Sequence, residues 1–220
     1  PMAALVAGDL VLTEKGGAPH VARVVVNQHR EAAAAPSAEL LTLAHAAGSL
    51  SVTADHVVWL DGGFAPARAA AKGATLSGGL AVEGVTRHSG GVVNPIVAGG
   101  TVLASDQAGG EPVLAATGNE WIADVLLSAY PACSVSFALA AVFPATAQDY
   151  YDAALEPLFN AAAPALAELK ATAPPSLVGL AIVASDTALA AGFGVHALGL
   201  KGAAAVAALA FAAARRAARK

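Results

Sequence analysis

Up to about Tyr130 the apolar positions fall in short runs. They are Leu10–Leu12, Val21–Val26, Leu40–Leu43, Leu50–Thr53, His56–Leu60, Leu80–Val85, Val92–Val97 and Thr101–Ala104. Gly, Pro, Asp or Asn separates each run from the next. Many short strands with this punctuation predict an all-β barrel or sandwich-like fold. Paired glycines, such as Gly16-Gly17, Gly62-Gly63 and Gly109-Gly110, supply the turns. No internal period repeats along the chain.

Past that point the pattern changes. Gln148–Lys170 carries Tyr151, Leu155, Leu158, Leu166 and Leu169 among alanines, with acids early and Lys170 late. This predicts a helix, or a helix pair around Pro157 and Pro164. Ala173-Pro174-Pro175 is a break. Leu177–Ala214 then has only Asp186, His196 and Lys201 as ionisable groups, and Arg215, Arg216, Arg219 and Lys220 follow. A membrane span needs roughly 20 apolar residues. Ala188–Ala214 reaches that length, and the basic cluster suits a cytoplasmic flank. The tail is therefore expected to associate with a membrane. The alternative is a pair of Ala-rich helices that bury the same alanines against Phe137, Phe143 and Phe159. The organisation expected is a mainly β domain over 1–132, followed by an α-helical, Ala-rich region over 133–220.

Composition narrows the function. Of 220 residues, 56% are hydrophobic and 13% charged, and the formal net charge of −4 leaves no basic footprint for nucleic acid. A lone cysteine, Cys133, excludes an internal disulfide framework and a multi-cysteine metal site. His20, His45 and His88 sit on separate segments without the spacing of zinc ligands. No cofactor or metal is expected. The opening Pro1-Met2-Ala3 shows no signal peptide and reads as a cut-out piece of a longer protein.

The block Leu50-Ser51-Val52-Thr53-Ala54-Asp55-His56-Val57-Val58-Trp59-Leu60 carries the candidate chemistry. It places a histidine three residues after a threonine, at the join of two apolar strands. There an imidazole can donate to a carbonyl or to a departing amide nitrogen, and Thr53 can orient it or polarise the same peptide. By itself the pair is unspecific, since a lone histidine beside a strand is most often a surface or satisfied residue.

Its neighbours add to it. Leu5-Val6-Ala7-Gly8-Asp9-Leu10-Val11-Leu12 precedes it, and Phe64-Ala65-Pro66-Ala67-Arg68 with Lys72-Gly73 follows. Gly91-Val92-Val93-Asn94-Pro95-Ile96-Val97, Gly100-Thr101-Val102-Leu103 and Val125-Leu126-Leu127-Ser128-Ala129-Tyr130 come after. In this order the motifs resemble the Hint domain, the self-processing module of hedgehog C-terminal regions and inteins. The resemblance covers Leu5 to about Ala132 and is closest to the hedgehog type. It implies an all-β fold with pseudo-twofold symmetry. It also implies self-cleavage, in which a cysteine opening the domain attacks its own preceding carbonyl, assisted by Thr53 and His56. Water, a thiol or a lipid then resolves the thioester. The partner implied is the chain's own upstream polypeptide, and the family resemblance favours the secretory pathway or a membrane as location.

Three departures qualify this. The family's cysteine belongs to a strand ahead of the Gly8-Asp9 turn, so this chain is expected to lack its nucleophile and not to cleave itself. The hedgehog pattern has an aspartate, tied to sterol activation, at the position of His29. Sterol is thus not the expected acceptor, and His29 is a candidate base toward another one or a plain loop histidine. The late Ser-Cys-Tyr reads Ser128-Ala129-Tyr130; Cys133, in a different register, reads as a small buried residue. The intein ending, His-Asn, is absent, which argues against splicing. Asp106–Glu120 reads as an inserted loop. The rival to self-processing is a catalytically dead β domain serving as a membrane-anchored structural or interaction module.

Overall fold

A computed structural model describes residues 1–29, 37–119, 142–174, 188, 190–199, 204, 205 and 208. The chain divides into two compact units, Pro1–Ser128 and Ala129–Lys220.

The first unit is mainly β, as the short apolar runs predict. Its strands are β1 (Leu10–Lys15), β2 (Ala18–Gln28), β3 (Ser37–His45), β4 (Gly48–Thr53), β5 (His56–Leu60), β6 (Gly63–Pro66), β7 (Val82–Gly91), β8 (Asn94–Val97), β9 (Thr101–Ala104) and β10 (Val113–Asn119). They form three antiparallel sheets, ordered β1-β2-β8, β6-β5-β10-β9 and β4-β3-β7.

Local chemistry explains the tightest hairpins. Gly16 and Gly17 have φ of 61° and 81° between the paired Lys15 and Ala18. Asp61 and Gly62, at 51° and 87°, do the same between Leu60 and Gly63. A two-residue turn with positive φ at both centres matches the twist of the flanking strands, and Gly-Gly and Asp-Gly reach it at least cost. Asp61 also anchors its turn: its carboxylate accepts from the Thr75 amide at 2.8 Å.

One core serves all three sheets. Val24, Leu43, Val58, Val97 and Val113 are fully buried, with Leu76 and Val82 beside them. Leu41 and Leu43 alternate with half-buried Thr42 along β3, as a one-sided strand requires.

Two expectations need correction. Asp106–Glu120 is not an inserted loop: β10 lies between β5 and β9, and Val113, Leu114, Ala115 and Ala116 are buried. The run expected at Leu80–Val85 instead begins β7 at Val82, which continues through polar residues to Gly91. Pairing with β3 from His45 to Ser37 sets that length.

The second unit is helical in its described part. Helix α1 (Pro144–Tyr150) leads through a π-helical turn, Tyr151–Leu155, into α2 (Glu156–Thr172). The helix expected over Gln148–Lys170 is present. It does not break at Pro157, which sits in the first turn of α2 directly after the wider π turn, nor at Pro164, inside α2. Residues 190–199 are helical. Ala190 and Phe193 are buried, and the Phe193 ring lies 6.2 Å from Tyr150 and 6.5 Å from Phe143. His196 stacks on Tyr150 at 5.4 Å. Gly192 comes so close to the Tyr150 hydroxyl that any Cβ there would collide. Among the described residues, no helix is long and apolar enough to cross a membrane. Most of Leu177–Lys220 lies outside the described residues, as do Cys133, Trp121, Phe137 and the Val125–Tyr130 motif.

Candidate functional site

β4 ends at Thr53 and β5 begins at His56, so the Thr-x-x-His block is a two-residue turn between strands. Thr53 pairs with Leu40 of β3, which fixes one side of the turn. Arg68 fixes the other: its amide donates to the Ala54 carbonyl at 2.9 Å, and its guanidinium meets the Asp55 carboxylate at 2.6 Å. Both partners of that ion pair are about half exposed, so it contributes orientation more than stability.

The partner of His56 comes from β10. Ala115 stands opposite Val58 and Asn119 opposite His56, so four steps along β10 match two along β5. This bulge lies at Ala116–Gly118. Bulges re-aim backbone groups beside a strand, and here the Ala116 carbonyl accepts from His56 Nε2 at 2.7 Å. A carbonyl can only accept, so Nε2 carries the proton and Nδ1 of the neutral ring is a lone pair. Burial pushes the His56 pKa below its usual 6.5, and the bond to Ala116 opposes that shift without cancelling it. The neutral ring is thereby favoured, and the imidazolium, once formed, is a strong proton donor.

One cavity of about 450 Å³ in the β unit brings the three sequence-selected residues together: His29, Thr53 and His56 all line it. His29 follows β2 in a left-handed conformation, with φ of 55°. Met2 lines the same cavity. Fully buried Asn27 holds that segment by donating to the carbonyls of Met2 at 2.8 Å and Leu5 at 2.9 Å. The beginning of this chain is thus moored beside His29 and the Thr53–His56 turn.

Four cavity residues were not singled out from the sequence. The carboxylate of Asp106, just after β9, accepts from Ser51 Oγ at 2.7 Å, the Ser51 amide at 3.0 Å and Ser49 Oγ at 3.0 Å. It clamps β4 two residues before Thr53. Asn94 Nδ2 donates to Gln28 Oε1 at 2.7 Å and to the Thr117 carbonyl at 3.3 Å. The Thr117 hydroxyl is fully buried and makes no hydrogen bond among the described residues. Asn94 lies within Gly91–Val97 and Gln28 directly precedes His29, both in segments that the Hint resemblance marks, which was the available signal. Asp106 and Thr117 gave none, because both fall in the stretch that reads as an inserted loop and only pairing across the fold brings them to the cavity. Among the described residues, no group of three or more His, Cys, Asp or Glu side chains is placed to hold a metal. Lys and Arg are absent from the described lining.

A neutral imidazole with one free lone pair, a nearby hydroxyl at Thr53 and amide donors suit proton transfer at an uncharged peptide or ester group. No protein-family model matches the chain, and no curated protein is significantly similar to it.

Proposed function

We propose that this chain is the larger part of a hedgehog-type Hint self-processing module. The observation that carries the reading is the shared cavity. Thr53, His56 and His29 line it together with Met2, which supports a substrate segment that enters the cavity ahead of Pro1.

In this reading an upstream cysteine supplies the nucleophile, because its thiolate attacks and its thiol does not. His56 Nδ1 takes the thiol proton, and sulfur adds to the preceding carbonyl carbon. The C–N bond then breaks, and Nδ1–H returns the proton to the departing nitrogen. An amide has become a thioester and a free amine, with no change of oxidation state. Water, a thiol or a lipid hydroxyl then resolves the thioester and releases the upstream polypeptide. Sterol is not the preferred acceptor in this proposal, since His29 stands where the hedgehog pattern has aspartate.

The test uses the protein extended ahead of Pro1 through a cysteine that opens the domain. Dithiothreitol should cleave it just before that cysteine, and His56→Ala should slow cleavage by about 10²–10⁴-fold, the usual loss for a general acid or base. The 220-residue chain alone should keep its mass. An extended chain that never cleaves favours a non-catalytic β module anchored through its tail.

A further inference from the structure

We infer that Gln28 is a carbonyl-binding residue of this cavity, held ready by Asn94, and that the group it takes is an uncharged secondary amide. The inference rests on the self-processing reading for its substrate, but its geometry stands separately.

Amide side chains are ambiguous in orientation until a partner of fixed polarity sets them. Here the Thr117 carbonyl is that partner. It can only accept, so the Asn94 nitrogen faces it at 3.3 Å. The same nitrogen lies 2.7 Å from Gln28, so the Gln28 atom there is the oxygen Oε1. Both amides are thereby locked, and the Gln28 Nε2–H2 group is left over. It has no hydrogen-bond partner among the described residues, and half-buried Gln28 lines the cavity. A donor fixed by a second residue and left unused is the arrangement that stabilises charge developing on a carbonyl oxygen.

The complementary group lies across the bulge. The Ala116 carbonyl, next to Thr117, fixes the Nε2 proton of His56 and leaves Nδ1 as an acceptor. The site thus offers a donor for a carbonyl oxygen and an acceptor for an N–H, the two poles of a secondary amide. An anion fits poorly. The described lining has no Lys or Arg, and it carries the Asp106 carboxylate. Gln28 is the residue that touches the occupant, and Asn94 is a positioning residue acting through it.

The test is NMR on the full 220-residue chain, labelled with ¹⁵N. The probe is an uncharged capped peptide, N-acetylalanine N-methylamide, with sodium acetate as the anionic control. The peptide should shift the Gln28 Nε2–H2 signals, and acetate should not. Gln28→Glu keeps an oxygen for Asn94 but removes the donor, and should weaken peptide binding about fivefold, the usual worth of one neutral hydrogen bond. Asn94→Asp should turn the Gln28 amide toward the new carboxylate, so its N–H signals move before any peptide is added and binding falls by a similar factor. Unmoved Gln28 signals on peptide addition, unchanged affinity in Gln28→Glu, or equal binding of acetate would each overturn the assignment. Peptide binding through Gln28 with no cleavage of the extended chain supports the assignment and overturns self-processing alone.

Discussion

Two residues at the cavity lower stability in different ways. His56 is a titrating group under partial burial, and its folded-state pKa lies below the 6.5 of an unfolded chain. The unfolded state then binds more protons, so stability rises with pH through that window. The contribution is complete above about pH 6.5 and is lost as pH falls toward the depressed folded value. Urea midpoints measured from pH 8 to pH 5 should fall below pH 6.5. His56→Gln, which keeps a donor for Ala116 but cannot titrate, should flatten that fall; an unchanged slope would show that other groups dominate it. Thr117 does not titrate, but its hydroxyl is buried without a partner among the described residues. An orphaned hydroxyl costs folding free energy, and Thr117→Val removes it with little change of shape. The variant should gain about 1 kcal/mol in urea unfolding, and a loss instead would mean that the hydroxyl is satisfied. The turn from Thr53 to His56 was legible in the sequence because it joins two adjoining apolar runs. The hydrogen bond between Gln28 and Asn94 was not, because it joins strands through residues 66 positions apart.

At the scale of elements, the sequence shows where strands begin and end when turn chemistry is local. The Gly16-Gly17 and Asp61-Gly62 hairpins are of this kind. It misleads where neighbours decide. Val113–Asn119 reads Val-Leu-Ala-Ala-Thr-Gly-Asn, poor in β-branched residues and flanked by Gly109-Gly110-Glu111-Pro112, so it reads as loop. It is a strand because β5 and β9 supply ladders on both sides, and strand propensity is weak beside such packing. The polar end of β7 is the same effect with β3 as the neighbour. Asp106 links these elements to the site, since its three acceptor bonds join the end of β9 to β4. Asp106→Ala should cost about 1–2 kcal/mol in urea unfolding, because the lost bonds are charge-assisted but exposed. Amide exchange should quicken along 49–53 more than along β5. If exchange stays uniform, the clamp does not hold the Thr53 turn.

At the scale of the whole molecule, the change from period-two strands to alanine-rich helix marks the two units in the sequence. What the tail does depends on forces that alternation does not report. Phe193 is buried against Tyr150 and Phe143, so the helix at 190–199 has a packing role inside its own unit. Arg215, Arg216, Arg219 and Lys220 have another use open to them, because each basic residue near an anionic surface contributes about 1 kcal/mol. Four such residues next to an apolar stretch predict binding to anionic vesicles that weakens with salt. Truncation after Ala173 removes both the cluster and Phe193. The full chain should float with phosphatidylserine-containing liposomes at low salt, and the chain ending at Ala173 should stay at the bottom of the gradient. The shorter chain should also lose helical signal, since Tyr150 and Phe143 lose their partner ring. Should both chains stay at the bottom and only helical stability fall, the tail is a packing element and its basic end does no membrane work.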